Sequence, residues 1–137
     1  MILDVVGYFT AGAGDGFHPV DPVRFQDSRP GGEQVGAYGT PWAAGTERTV
    51  AVTTAGGVPA GATAVLANVT VTTTTAESFL TVWNTGASTP TASNLNWKAG
   101  VTIANSVTAK VGTGDTISMF NNSGTVNVVA DVAGWYG

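Results

Sequence analysis

Residues 63–72 read Thr63-Ala64-Val65-Leu66-Ala67-Asn68-Val69-Thr70-Val71-Thr72, and this stretch decides the fold. Val65, Ala67, Val69 and Val71 fall on one side of an extended chain, while Leu66, Asn68 and Thr70 fall on the other, the period of a strand. The second side is apolar enough that cover on both faces is expected. Residues 101–111 repeat the pattern: Val101, Ile103, Val107, Ala109 and Val111 alternate with Thr102, Ala104, Ser106, Thr108 and Lys110, and Asn105 interrupts the apolar set. Working outward, the remaining expected strands are Val23 to Asp27, Arg48 to Thr53, Ser78 to Asn84, Ser93 to Trp97, Asp115 to Asn121 and Thr125 to Trp135, with a further one at the N-terminus. Gly- and Pro-rich breakers separate them, at Gly12 to Gly16, Pro30 to Gly32, Gly56 to Gly61, Gly86 to Pro90, Gly112 to Gly114 and Asn121 to Gly124. No stretch sustains a period of 3.6 between caps, so little helix is expected.

About eight short antiparallel strands must close into a barrel or stack as two sheets to hide their apolar faces. The expectation is an all-β antiparallel sandwich, jelly-roll or Ig-like. Pro19 to Pro22 belongs along an edge, because proline cannot donate to a central ladder.

Composition narrows the setting. The 137 residues carry 5 Lys+Arg against 9 Asp+Glu, a net charge of −4 with only 10% charged residues. Such a chain has nothing with which to neutralise a phosphate backbone, so nucleic-acid binding is not expected. No apolar run approaches the roughly 20 residues of a membrane-spanning helix, and no membrane insertion is expected. The absence of Cys excludes disulfides, thiolate metal sites and cysteine nucleophiles. Gly-, Thr- and Val-rich strands joined by tight turns suit a module outside the cell or on its surface.

One internal match changes the reading of the ends. Asp4, Val5, Val6, Gly7, Tyr8 and Phe9 align with Asp131, Val132, Ala133, Gly134, Trp135 and Tyr136, 127 positions later. The match suggests a tandem array in which residues 1–10 are the closing strand of a preceding unit, 11–16 a Gly-rich linker and 17–137 a single sandwich. Asp4, Val5, Gly7, Tyr8 and Phe9 are then an inter-unit strand, its partners being copies of the chain or adjacent units.

The segment Asp15-Gly16-Phe17-His18-Pro19-Val20, running into Pro22-Val23-Arg24-Phe25-Gln26-Asp27-Ser28-Arg29, resembles a recurring β-rich accessory repeat of secreted and cell-surface actinobacterial proteins. The Asp-Val-x-Gly-aromatic close at Asp131 to Trp135 is similar too. So are Gly57-Val58-Pro59, Ala67-Asn68-Val69-Thr70-Val71, Leu80-Thr81-Val82-Trp83, Ser93-Asn94-Leu95-Asn96 and Ala104-Asn105. The resemblance spans nearly the whole chain in order, with Ser28 standing where the pattern usually has Thr. It implies a module attached to hydrolases, peptidases or other surface proteins, with no activity of its own that the pattern names.

Several constellations carry possible chemistry. Arg24, Asp27 and Arg29 combine two cations with a carboxylate. Strand alternation places Asp27 and Arg29 on one face and Arg24 on the other, and a structural clamp is favoured over a ligand site. Asn68, Asn94, Asn96 and Asn105 lie in β-forming stretches, where an inter-sheet amide ladder competes with a groove for sugar hydroxyls. Trp83 and Trp135 read as packing residues. Tyr38, Trp42, Trp97, Asn94 and Asn96 form the candidate carbohydrate site, with a neutral glycan as the alternative partner; Tyr38 and Trp42 sit in a Gly- and Pro-rich loop, where aromatics are often exposed, and at Trp42 and Trp97 a ligand platform competes evenly with packing. His18, the only histidine, precedes Pro19 and reads as a turn residue. Without a second histidine, a nucleophile elbow or a convincing carboxylate pair among Glu33, Glu47, Glu77 and the aspartates, no catalytic residue, metal or cofactor is expected.

Overall fold

The computed structural model describes residues 1, 3–31, 34–53 and 57–137. It contains eight strands: β1 (Phe17–Asp27), β2 (Thr46–Ala51), β3 (Ala64–Thr72), β4 (Ser78–Asn84), β5 (Leu95–Trp97), β6 (Ile103–Lys110), β7 (Thr116–Asn121) and β8 (Asn127–Tyr136). These form two four-stranded antiparallel sheets, ordered β1-β8-β3-β6 and β2-β7-β4-β5. The first half of the chain pairs with the second half in reverse, β1 with β8, β2 with β7, β3 with β6 and β4 with β5. Pairs β3·β8 and β4·β7 complete each sheet. A long antiparallel ribbon rolled on itself in this way is a jelly roll, which resolves the choice between the two expected sandwiches.

The core lies between the sheets. Val65, Val69 and Val71 of β3 face Leu80, Ile117 and Met119 of the opposite sheet's strands, all at 1% exposure or less. On the outer side of β3, Leu66 and Thr70 are only half-buried and Asn68 is exposed, so this strand is covered on one face rather than both. No second layer packs there among the described residues, and the alternation is that of a half-buried strand.

Two expected elements are redrawn. β1 begins at Phe17 and takes in the proline stretch; it is an edge strand, and its register slips between Pro19 and Val23, where the ladder must do without proline donors. His18 is therefore a strand residue, not a turn residue. The N-terminal segment, by contrast, joins neither sheet. Its described residues up to Thr10 are exposed and outside any strand, while β8 holds the place between β1 and β3.

Candidate functional site

The closure of β1 on β8 gathers four of the chain's fourteen charged residues, Arg24, Asp27, Arg29 and Asp131. Arg24 and Asp131 are register partners, and Arg24 Nε donates to Asp131 Oδ1 at 2.8 Å while Nη2 donates to Oδ2 at 3.3 Å. Arg24 Nη1 also donates to Asp27 Oδ2 at 3.2 Å. This contact corrects the simple alternation that sends Arg24 away from Asp27. The register shifts between Arg24 and Gln26, a bulge that breaks the period of two and leaves Phe25, Gln26 and Asp27 buried in succession. Arg29 completes the cluster, its Nη2 lying 2.6 Å from Asp27 Oδ2 and its backbone N–H donating to Oδ1 at 3.1 Å.

These bonds hold the Asp27 carboxyl below the usual carboxylate range, chiefly through the Arg29 side chain, and raise both guanidinium groups. With Asp27 at 4% exposure and every lobe of its carboxylate engaged by the protein, the cluster pins the end of β1. Ser28 extends the same seam: its hydroxyl accepts from Val128 N at 2.8 Å and donates to Asn127 Oδ1 at 3.2 Å. The hydroxyl, which Ser and Thr share, is the part of that side chain used here. Asp131 was legible only as part of the closing motif; its role as the partner of Arg24 follows from strand pairing.

At the other end of the β1–β8 pair sits an aromatic group. The His18 ring stacks on Trp135 at 4.0 Å, and Phe17 meets Tyr136 at 5.1 Å. Gly134 lies under Phe17, so that a Cβ there would come within 2.4 Å of the ring. Asp131, Gly134, Trp135 and Tyr136 thus each have a contact that explains their place in the motif.

The expected carbohydrate platform is not an exposed surface. Trp42 is 0% exposed: its backbone bridges Val126, its Nε1 donates to Met119 O at 3.3 Å, and Tyr38 packs against it edge-on at 5.6 Å. Arg48 covers the pair, its guanidinium carbon 4.5 Å from the Trp42 ring centre and held by the Thr40 and Pro41 carbonyls. The surrounding Gly and Pro suggested a solvent-facing loop, but two backbone bonds to Val126 turn this segment inward. Trp97 is also buried, as is Trp83, whose Nε1 donates to Ala87 O; Trp135 is half-buried against His18.

The asparagines do not form one ladder. Asn94 Oδ1 accepts from Val82 N, prolonging the pairing of β4 ahead of β5, and Asn105 Nδ2 donates to Asn94 O at 2.7 Å, tying β6 to the other sheet. Asn96 bonds Ser93, and Asn68 reaches only Thr70. Asn96 and Trp97 border a shallow depression of about 240 Å³ with Phe79 and Asn122.

Among the described residues no three His, Asp or Glu side chains group as metal ligands; Glu33 lies outside those residues. No described helix is long and apolar enough to cross a membrane. The N-terminal segment instead presents the largest apolar surface, with Val5, Tyr8 and Phe9 each close to 90% exposed. It overhangs a cavity of about 540 Å³ against Thr63, Thr108, Lys110 and Tyr136, and the chain is tied down only after it, where Thr63 Oγ1 donates to Asp15 Oδ2 at 2.5 Å. Fold and site define the class as a jelly-roll module with an unpaired apolar strand sequence at one end. No protein-family model and no curated protein matches the chain.

Proposed function

We propose that the chain is a non-catalytic structural or adhesive module of the cell surface or extracellular space, working through contacts with copies of itself or with adjacent units of the same kind. The observation that carries this reading is the exposed Asp4–Phe9 segment, which repeats the closing strand while β8 already fills that position. A chain with only 10% charged residues adds support, because its surface opposes close packing between copies with little electrostatic repulsion. The resemblance to accessory repeats of secreted actinobacterial proteins points the same way.

The test is light scattering and electron microscopy of the full chain beside a chain lacking residues 1–10. Concentration-dependent association that weakens with the deletion supports the reading, whereas strictly monomeric particles in both cases overturn its assembly form. Glycan binding has lost its tryptophan platform and keeps only the Phe79–Asn96 depression. Retention on neutral polysaccharide that disappears with Asn96→Ala would favour it instead.

A further inference from the structure

The sequence of residues 4–9 contains requirements that its own surroundings do not impose. Gly7 does not have left-handed backbone, and a Cβ on it would meet nothing within 4 Å. A glycine in an extended segment weakens strand formation and ordinarily marks a close approach, but none exists here. Residues 3–9 make no hydrogen bond to the described residues, so Asp4 has no cation to meet. In β8 the same pattern is explained position by position: Asp131 receives Arg24, Gly134 makes room for the Phe17 ring, Trp135 stacks on His18 and Tyr136 meets Phe17.

From this we infer that residues 3–9 are a closing strand whose seat is the slot between β1 and β3 of a second jelly-roll unit of the same kind. There Asp4 meets the Arg24 position, Gly7 lies under the Phe17 position, and Tyr8 and Phe9 take the places of Trp135 and Tyr136. The inference rests on the module reading above and names its partner and its mode of contact. It also sets the spacing of units. Phe17 pairs with Tyr136, so the closing strand ends where β1 begins. The seven residues 10–16 join the donated strand to this unit's β1 and span at most about 25 Å when fully extended. Units connected in this way face each other through their Phe17–Tyr136 ends, no more than about 25 Å apart.

Two sets of full-length variants test it. The first writes residues 4–9 into the occupied seat as Ala133→Val, Trp135→Tyr and Tyr136→Phe. A melting temperature within about 5 °C of the parent is expected, and loss of the folded state overturns the strand's identity. The second disables the chain's own β8 with Gly134→Val. Each copy's residues 3–9 then fill a neighbour's slot, so folded oligomers are expected by light scattering and circular dichroism, and adding Gly7→Val abolishes them. A folded Gly134→Val monomer, or failure to fold with or without Gly7→Val, overturns donation to a neighbour. If the wild-type chain stays monomeric while Gly134→Val forms oligomers that Gly7→Val removes, the seat is as inferred and only the assembly form of the module reading fails.

Discussion

Arg24 and Asp131 stand opposite each other on β1 and β8, with Nε and Oδ1 2.8 Å apart, and the same guanidinium reaches Asp27 at 3.2 Å. One side chain therefore joins the first strand of the roll to its last and to the bulge that ends the first. The Arg24 side chain is 39% exposed, so solvent screens the pair and its coupling is modest. A double-mutant cycle of Arg24→Met and Asp131→Asn, read by urea unfolding, is expected to show a coupling of about 0.5–1 kcal/mol. Strictly additive effects would mean that Arg24 and Asp131 contribute nothing to stability through this contact.

Asp27 sets an acid limit on stability. Its folded-state pKa is depressed, so its ionised form contributes stability above the unfolded-state value, and that contribution is lost as pH falls through the folded-state value. Wild type is expected to lose stability below about pH 4, the ordinary range of a carboxyl. Asp27→Asn should cost about 1–3 kcal/mol at pH 7, by removing the charge that both arginines share, and should flatten the acid limb. Unfolding curves at neutral and acid pH check both parts, and a variant with an undiminished acid limb would assign it to another carboxylate.

Trp42 is predicted to act through packing. With 0% exposure and an indole N–H donating to Met119 O, Trp42→Ala should destabilise the fold by about 3–5 kcal/mol. Thermal melting measures this. A variant with parental stability would contradict the buried placement.

Deleting residues 1–9 is expected to leave the melting temperature within about 2 °C of the parent, since the described residues among them pair with neither sheet and exposed segments away from packed features contribute little. Calorimetry decides it. A fall of about 10 °C or more would show that the segment packs on its own unit.

The alternation in residues 63–72 and 101–111 was enough to read an all-β sandwich, because a period of two requires one buried face whatever the partner strand. The edge position of Pro19 to Pro22 was legible for a similarly local reason, the missing backbone donor. Trp42 stayed open between ligand platform and packing because neighbouring Gly and Pro report a turn without reporting which way it faces, and only its bridge to Val126 settles that. Arg24 was misread because alternation assumes an unbroken strand, and the bulge before Gln26 depends on pairing with β8.

The sequence alone determined that the chain makes strands, which of their faces are apolar, and that residues 4–9 copy residues 131–136. All of these are local or can be found by aligning the chain with itself. Only the tertiary structure decided that the sandwich is a jelly roll, that Arg24 belongs with both Asp27 and Asp131, and that the copied strand is left without a seat. Those depend on which distant strands lie side by side. A slot between two strands admits one occupant, and here β8 holds it.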